Sequence, residues 1–161
     1  MKFMVGFSSP KRSARTVEMA AMHARALGAE LVILRVVPDP QKVGVVAQLI
    51  ATDRPEEKAR MQVEECARNL NEQGINARSI VKVGEVSPAI MQTAMEEGVD
   101  LLFVGTGNIA KRPFFLMEKD PIVHYLVDRC PIPLVLVRHE FATQADSSEG
   151  VGGASEPPED S

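Results

Sequence analysis

The chain has 161 residues, 45% of them hydrophobic and 25% charged, which is the composition of one soluble globular domain with some excess length. The net charge of -4 is uneven, since residues 143–161 hold five acids and no Lys or Arg while the remainder carries 18 basic against 17 acidic residues, so no broad basic face for nucleic acid is expected. No stretch approaches the roughly 20 apolar residues that span a bilayer, MKFMVGFSS is too short an apolar run for a signal peptide, and Cys66 and Cys130 make no disulfide framework; a cytoplasmic protein with free thiols and no membrane contact is expected.

Lys2 to Phe7 is a short apolar run and reads as a first strand, ended by Ser8-Ser9-Pro10. Ser9 suits a helix cap and Pro10 the first helical position, where the missing N–H costs nothing. Val17, Ala21 and Ala24 recur at helical spacing, so a first helix is expected from Lys11 to Leu27, closed by Gly28. Glu30 to Val37, ELVILRVV, is a second strand, stopped by Pro38 and Pro40. The segment from Asp39 to Thr52 follows, and its apolar part, Val43 to Ile50, fits a short helix as well as a packed loop. Asp53 with Glu56 resembles a capping box. Val63, Cys66, Ala67 and Leu70 then make an apolar stripe on a second helix from Arg54 to Gln73, ended by Gly74.

Ile75 to Val83 reads as a third strand with both faces partly covered, and Gly84 turns the chain. Ser87-Pro88 repeats the cap-then-proline start, and Ile90, Met91, Ala94 and Met95 are the expected buried side of a third helix that Gly98 stops. Val99 to Val104 leads into Gly105-Thr106-Gly107-Asn108, a buried fourth strand with a turn at its carboxyl end. In an open parallel sheet that end is where ligands bind. After a loop from Ile109 to Lys119, Asp120-Pro121 gives a third cap-then-proline signal, a short helix follows from Ile122 to Asp128, and Leu134 to Arg138 is the last strand. The tail from Thr143 has almost nothing apolar and is expected to be disordered. Strands alternating with helices predict a parallel sheet with helices on both faces, joined by right-handed crossovers. The pattern occurs once, so one domain is expected over residues 1–142, with residues 143–161 as an acidic tail.

Three segments in order, LGAELVILRVV (Leu27 to Val37), VGEVSPAIMQTAMEEGVDLLFVGT (Val83 to Thr106) and RCPIPLVLVR (Arg129 to Arg138), resemble the universal stress protein family, UspA-like and of the adenine-nucleotide α-hydrolase-like fold. The resemblance implies an α/β fold with a five-stranded parallel sheet of order 3-2-1-4-5. It also implies a cytoplasmic homodimer in which the last strand, here Leu134 to Val137, pairs with its twofold mate.

Many members of the family bind ATP through Gly-x2-Gly-x9-Gly-Ser/Thr after strand 4. Glycines let backbone N–H groups approach phosphates, and the final hydroxyl sits at a helix start. Gly105 matches the first glycine, but Asn108 stands at the second, and Glu118-Lys119 or Asp120-Pro121, by alignment from either side, stands at Gly-Ser/Thr. Either choice puts an acid beside the expected phosphates. Ser8 stands where family binders have Asp at the end of strand 1, and Val37 or its neighbour Val36 is placed for the family's backbone contact to adenine. Ser8, Val37, Gly105 and Asn108 are therefore a remnant nucleotide site. The expectation is a regulatory or interaction protein of the stress family, not an enzyme, with no tight cofactor; the alternative is an adenine-nucleotide binder, for ATP or AMP, with a modified phosphate loop.

Other candidates are weaker. Lys111 and Arg112 either neutralise a phosphate or solvate the loop. Pro113 to Met117, with Phe114 and Phe115, either meets a protein partner or a second copy, or folds back over the site. Ser8, Ser9 and Ser13 surround a helix N-terminus and serve as caps or as an anion or phosphorylation site. His23 on the first helix's surface, His124 and His139 stand too far apart in sequence for a metal. Cys130 reads as a buried thiol rather than a nucleophile.

Overall fold

The structure is a computed structural model that describes residues 1–39, 55–106 and 120–138. Its elements are β1 (Lys2–Gly6), α1 (Pro10–Leu27), β2 (Glu30–Val37), α2 (Pro55–Glu72), β3 (Ala77–Val83), α3 (Val86–Glu96), β4 (Leu101–Thr106), α4 (Pro121–Arg129) and β5 (Leu134–Arg138). The strands form one parallel sheet in the order β3-β2-β1-β4-β5, the order that the resemblance implied.

Side-chain alternation along each strand explains the two layers. In β2, Leu31 and Ile33 join Ala20, Ala21 and Ala24 of α1 and Val63, Ala67 and Leu70 of α2 on one face. Val32, Leu34 and Val36 join Ile90 and Ala94 of α3 and Leu126 of α4 on the other. A strand buried on both faces has to be apolar almost throughout, and ELVILRVV is. Alanines on α1 let it settle close to the sheet. Phe103 of β4 is fully buried, with Phe3 at 5.8 Å and the His23 ring at 5.4 Å between centroids.

Helix ends follow local chemistry. Ser9 Oγ accepts the Arg12 N–H at 3.1 Å with Pro10 in the first turn, and Gly28 closes α1 in the left-handed region at φ 64°. The third strand begins at Ala77, not Ile75, because the Ile75 N–H turns back to the Leu70 carbonyl and its side chain fills the core as part of a loop. The cap of α3 is Glu85, so Ser87 and Pro88 lie inside the first turn, where the missing proline N–H still leaves no bond unmade. Met95 is exposed and Met91 half-buried, so the inner side of α3 is narrower than its spacing suggested. Expectations for Val43–Ile50, Asp53, Lys111–Arg112, Phe114–Phe115, Glu118–Lys119, His139 and the acidic tail fall outside the described residues.

At the amino-terminal ends of the strands, charges from four elements lock together. Arg78 Nε donates to Glu30 Oε1 at 2.7 Å, and its other arm bonds Glu97. Lys2 Nζ donates to the Glu97 carbonyl at 3.0 Å, and the Lys2 N–H donates to Asp100 Oδ2 at 2.8 Å. The hydrogen bond from Arg78, with the charges of Arg78 and Lys2, holds the Glu97 carboxyl below the usual carboxylate range against some desolvation.

A carboxyl depressed on folding contributes stability above its unfolded pKa and loses it as pH falls through its folded pKa. Glu97→Gln is therefore expected to lower stability at pH 7 by no more than about 1 kcal/mol, because the network is partly solvated. The deficit should shrink toward zero below the folded pKa of Glu97, as read from urea midpoints at pH 7 and pH 3.

Candidate functional site

The strand order reverses at β1, which has β2 on one side and β4 on the other. The crossovers diverge there, and a crevice opens outside the carboxyl ends of the strands. In this chain it is a cavity of about 270 Å³. Gly6, Phe7 and Leu34 line its base, and Arg12, Ser13 and Thr16 of the start of α1 close one side. Val86 and Ile90 of α3 and Ile122 of α4 close the other, with Gly105, Thr106 and Asp120 alongside.

Two of the expected site residues meet here. Ser8 lines the cavity, its N–H donating to Ser13 Oγ at 2.8 Å and its own Oγ 3.2 Å from the same hydroxyl. This ties the end of β1 to the start of α1. Gly105 also lines the cavity, but it is no turn: β4 runs through Thr106, and Gly105 pairs with Val137 of β5. Val37 does not line it. Leu34, Arg35 and Val36 do, while the Val37 carbonyl accepts the Gly84 N–H at 3.0 Å and its side chain is buried. Asn108 lies outside the described residues.

Three residues that were not singled out from the sequence also belong to the cavity. Thr16 Oγ1, Thr106 Oγ1 and Arg35 Nε are buried without a hydrogen-bond partner among the described residues, and all three residues line this cavity. Thr16 is 1% and Thr106 7% exposed. Burial pushes the Arg35 pKa below the ordinary guanidinium value, though arginine remains a cation in proteins. The signal in the sequence is one charged residue interrupting the apolar interior of ELVILRVV.

Asp120 answers the question of which negative group faces α4. Its Oδ1 accepts the N–H groups of Ile122 at 3.0 Å and Val123 at 3.3 Å. The positive end of α4 thus already holds an anion, the chain's own.

A larger, shallow groove runs along α2 and β3, lined by Glu64, Arg68, Asn71 and Arg78 among others. Arg78 is already held by Glu30 and Glu97, and Asn71 exchanges two hydrogen bonds with the Ala77 backbone at 2.8 and 2.9 Å. These groups are occupied in holding the structure, so the crevice at the strand ends is the better candidate.

The remaining chemistry is sparse. His23 is half-buried rather than on the surface, with its Nδ1–H donating to the Met19 carbonyl at 2.7 Å. His124 Nε2 lies 3.4 Å from Asp128 Oδ2 on α4, and no group of three metal-ligating residues gathers among the described residues. Burial pushes the Cys66 thiol up to about 11, which leaves little thiolate at neutral pH. Cys130 is half-buried at the end of α4. No described helix is long and apolar enough to cross a membrane.

The family model described as the universal stress protein family matches residues 1–138. Among solved structures, the chain is similar to the universal stress protein UspA of Lactobacillus plantarum, with a TM-score of 0.65 and 20% identity over 86% of this chain and 97% of that one. It is similar to the Archaeoglobus fulgidus universal stress protein in complex with dAMP, at a TM-score of 0.60 and 14% identity over 85% of this chain and 97% of that one. It is also similar to an Arabidopsis thaliana universal stress protein family protein with AMP bound, at a TM-score of 0.61 and 16% identity over 86% and 91% of the two chains. At these identities the likeness shows the fold. No curated protein sequence matches significantly.

Removing the carboxylate at the start of α4 tests its structural share. Asp120→Ala is expected to destabilise the protein by about 1 kcal/mol, the usual cost of a lost helix cap, and Asp120→Asn by less, as read from chemical denaturation.

Proposed function

The chain belongs to the universal stress protein family, and from that premise we propose that it acts by binding rather than by catalysis. It is a dimeric, cytoplasmic regulatory or interaction protein whose nucleotide pocket no longer grips a triphosphate. The observation that carries this reading is Asp120, whose carboxylate occupies the α4 N–H groups. The family places the Gly-Ser/Thr of its phosphate loop at that point when the chain is aligned from Pro131-x-Pro133. A phosphate chain led there meets a fixed negative charge, and Pro121 removes one backbone donor.

A second reading has its own support. Solved relatives of this fold hold dAMP and AMP, and Arg35, whose Nε has no partner among the described residues, lines the crevice of about 270 Å³. An adenine nucleotide with fewer charges, AMP before ATP, is the ligand of that reading.

The dimer is proposed through β5. It is a terminal strand of the sheet, and Leu136 on it is 43% exposed. An apolar edge strand is a template for a second copy. Phe114 and Phe115 remain the proposed contact for a protein partner.

Calorimetric titration with magnesium present is expected to show no micromolar binding of ATP. Micromolar ATP binding that Gly105→Val abolishes would sink the first reading, and micromolar AMP binding without ATP binding would establish the second. Light scattering at tens of micromolar should give a dimer, and Leu136→Lys should shift it toward monomer; a wild-type monomer at that concentration rules out pairing through Leu134 to Val137.

A further inference from the structure

We propose that the acidic segment that follows β5 docks on the basic first turns of α1 in the same chain, with Lys11, Arg12 and Arg15 as its contact. The contact lies outside the crevice, at its α1 rim, and depends on neither ligand reading above.

Lys11, Arg12 and Arg15 lie in the first two turns of α1, and all three are exposed. The first turn holds no acid. Arg15 meets Glu18 at 3.2 Å in an exposed pair, which contributes little. The side chains of Lys11 and Arg12 make no ion pair or hydrogen bond among the described residues. The helix end itself is already capped, since Ser9 Oγ accepts the Arg12 N–H. The surface is therefore built by charged side chains, and the positive end of α1 only adds to it.

Most other described basic side chains are answered or remote. Lys2 and Arg78 are held by Glu30 and Glu97, and Arg60 by Glu56. Arg129 lies over the Tyr125 ring at 4.7 Å. Lys58 shares the start of α2 with Glu56 and Glu57. Lys82 stands on β3, at the far edge of the sheet from β5.

Complementary charge leaves the fold close to α1. β5 ends at Arg138 beside Thr106 of β4, and β4 lies next to β1, which α1 follows. Arg138 and the start of α1 thus share the carboxyl edge of the sheet, two strand spacings or about 10 Å apart along it. Residues 143–161 carry five acids and no Lys or Arg, and Asp146 is the first of them. The stretch of chain from Arg138 to Asp146 can extend to at most about 28 Å, so its carboxylate reaches the first turns of α1. Each exposed pair is weak, but covalent attachment gives the acids an effective concentration on the order of millimolar at this surface. Arg12 also lines the crevice. A docked segment therefore screens Arg12 from other anions and places negative charge at the α1 rim.

The test uses the full-length protein and a carbodiimide, which joins a carboxylate to a neighbouring lysine amine with loss of water. Products are mapped by mass spectrometry, and a mixture of isotopically light and heavy chains separates contacts within one chain from contacts between two. Asp146 and Glu149 are expected to couple to Lys11 about five times more than to the exposed Lys58 or Lys82, and within single chains. Raising salt to about 1 M, where the screening length is about 3 Å, should lower the Lys11 yield about threefold or more. Arg12→Gln combined with Arg15→Gln should lower it similarly at low salt, although Lys11 is kept. Both positions are exposed, so the fold should survive, which circular dichroism checks. As a second readout, Asp146→Asn, Glu149→Gln, Glu156→Gln, Glu159→Gln and Asp160→Asn are combined in the full chain. Amide chemical shifts of residues 11–16 should then move more than those of residues 56–61. An even spread of products over the three lysines, a yield indifferent to salt or to the arginine pair, light–heavy products, or unmoved shifts at residues 11–16 overturns the contact. Nucleotide titration reads a different quantity, so failure of this contact and failure of the proposed function are distinguishable.

Discussion

Parallel pairing obliges each crossover to travel back across a face of the sheet, and in this chain the crossovers change direction once, at β1. The crossovers through α1 and α2 build outward to β2 and β3 over one face. Those through α3 and α4 build outward to β4 and β5 over the other. A right-handed connection leaves no alternative. The two halves therefore part at the carboxyl ends of β1 and β4. The other end of the sheet has no such gap, and its charges are answered. Lys2, Glu30, Arg78, Glu97 and Asp100 form one network joining three strands and the end of α3. One protein thus treats its two sheet ends in opposite ways. The closed end spends its charged residues on structure, and the open end keeps buried polar atoms without partners among the described residues.

Energetics make that contrast informative. Most of the stability comes from the double-sided core, where Phe3, Met4, Leu31, Ile33, Leu102 and Phe103 are all but fully buried. A core of this kind can tolerate a local deficit at the crevice, where Arg35 Nε, Thr16 Oγ1 and Thr106 Oγ1 have no partner among the described residues. Leaving a buried donor unsatisfied costs about 1–3 kcal/mol.

The fold was legible because its strands are buried on both sides. Glu30–Val37 and Leu134–Arg138 stand out as apolar runs and match the observed strands residue for residue. Ser9-Pro10 and Asp120-Pro121 mark helix starts because a side-chain oxygen and a fixed φ are both needed there. The misreadings have equally local causes. Ile75 is apolar because it plugs the core, and burial alone does not make a strand. Gly105 looks like a stop, yet the ladder to Val137 carries β4 past it. The site was less legible. Ser8 and Gly105 came from matching a family pattern, whereas Arg35, Thr16 and Thr106 lie far apart in sequence and become neighbours of one cavity only through the register of β2, β1 and β4 and the seating of α1. A charge inside ELVILRVV was visible, but its lack of a partner is a fact of three dimensions.

Asp120 sets the charge that the α4 side of the crevice presents. Asp120 sits on the α4 N–H groups, so the positive helix end is already neutralised and the carboxylate presents itself to anything that follows. A second anionic group brought within about 4 Å of it loses about 4 kcal/mol at an effective dielectric of about 20, equal to about three decades of affinity. Repulsion of a phosphate chain at the start of α4 thus follows from one fixed carboxylate lining the crevice.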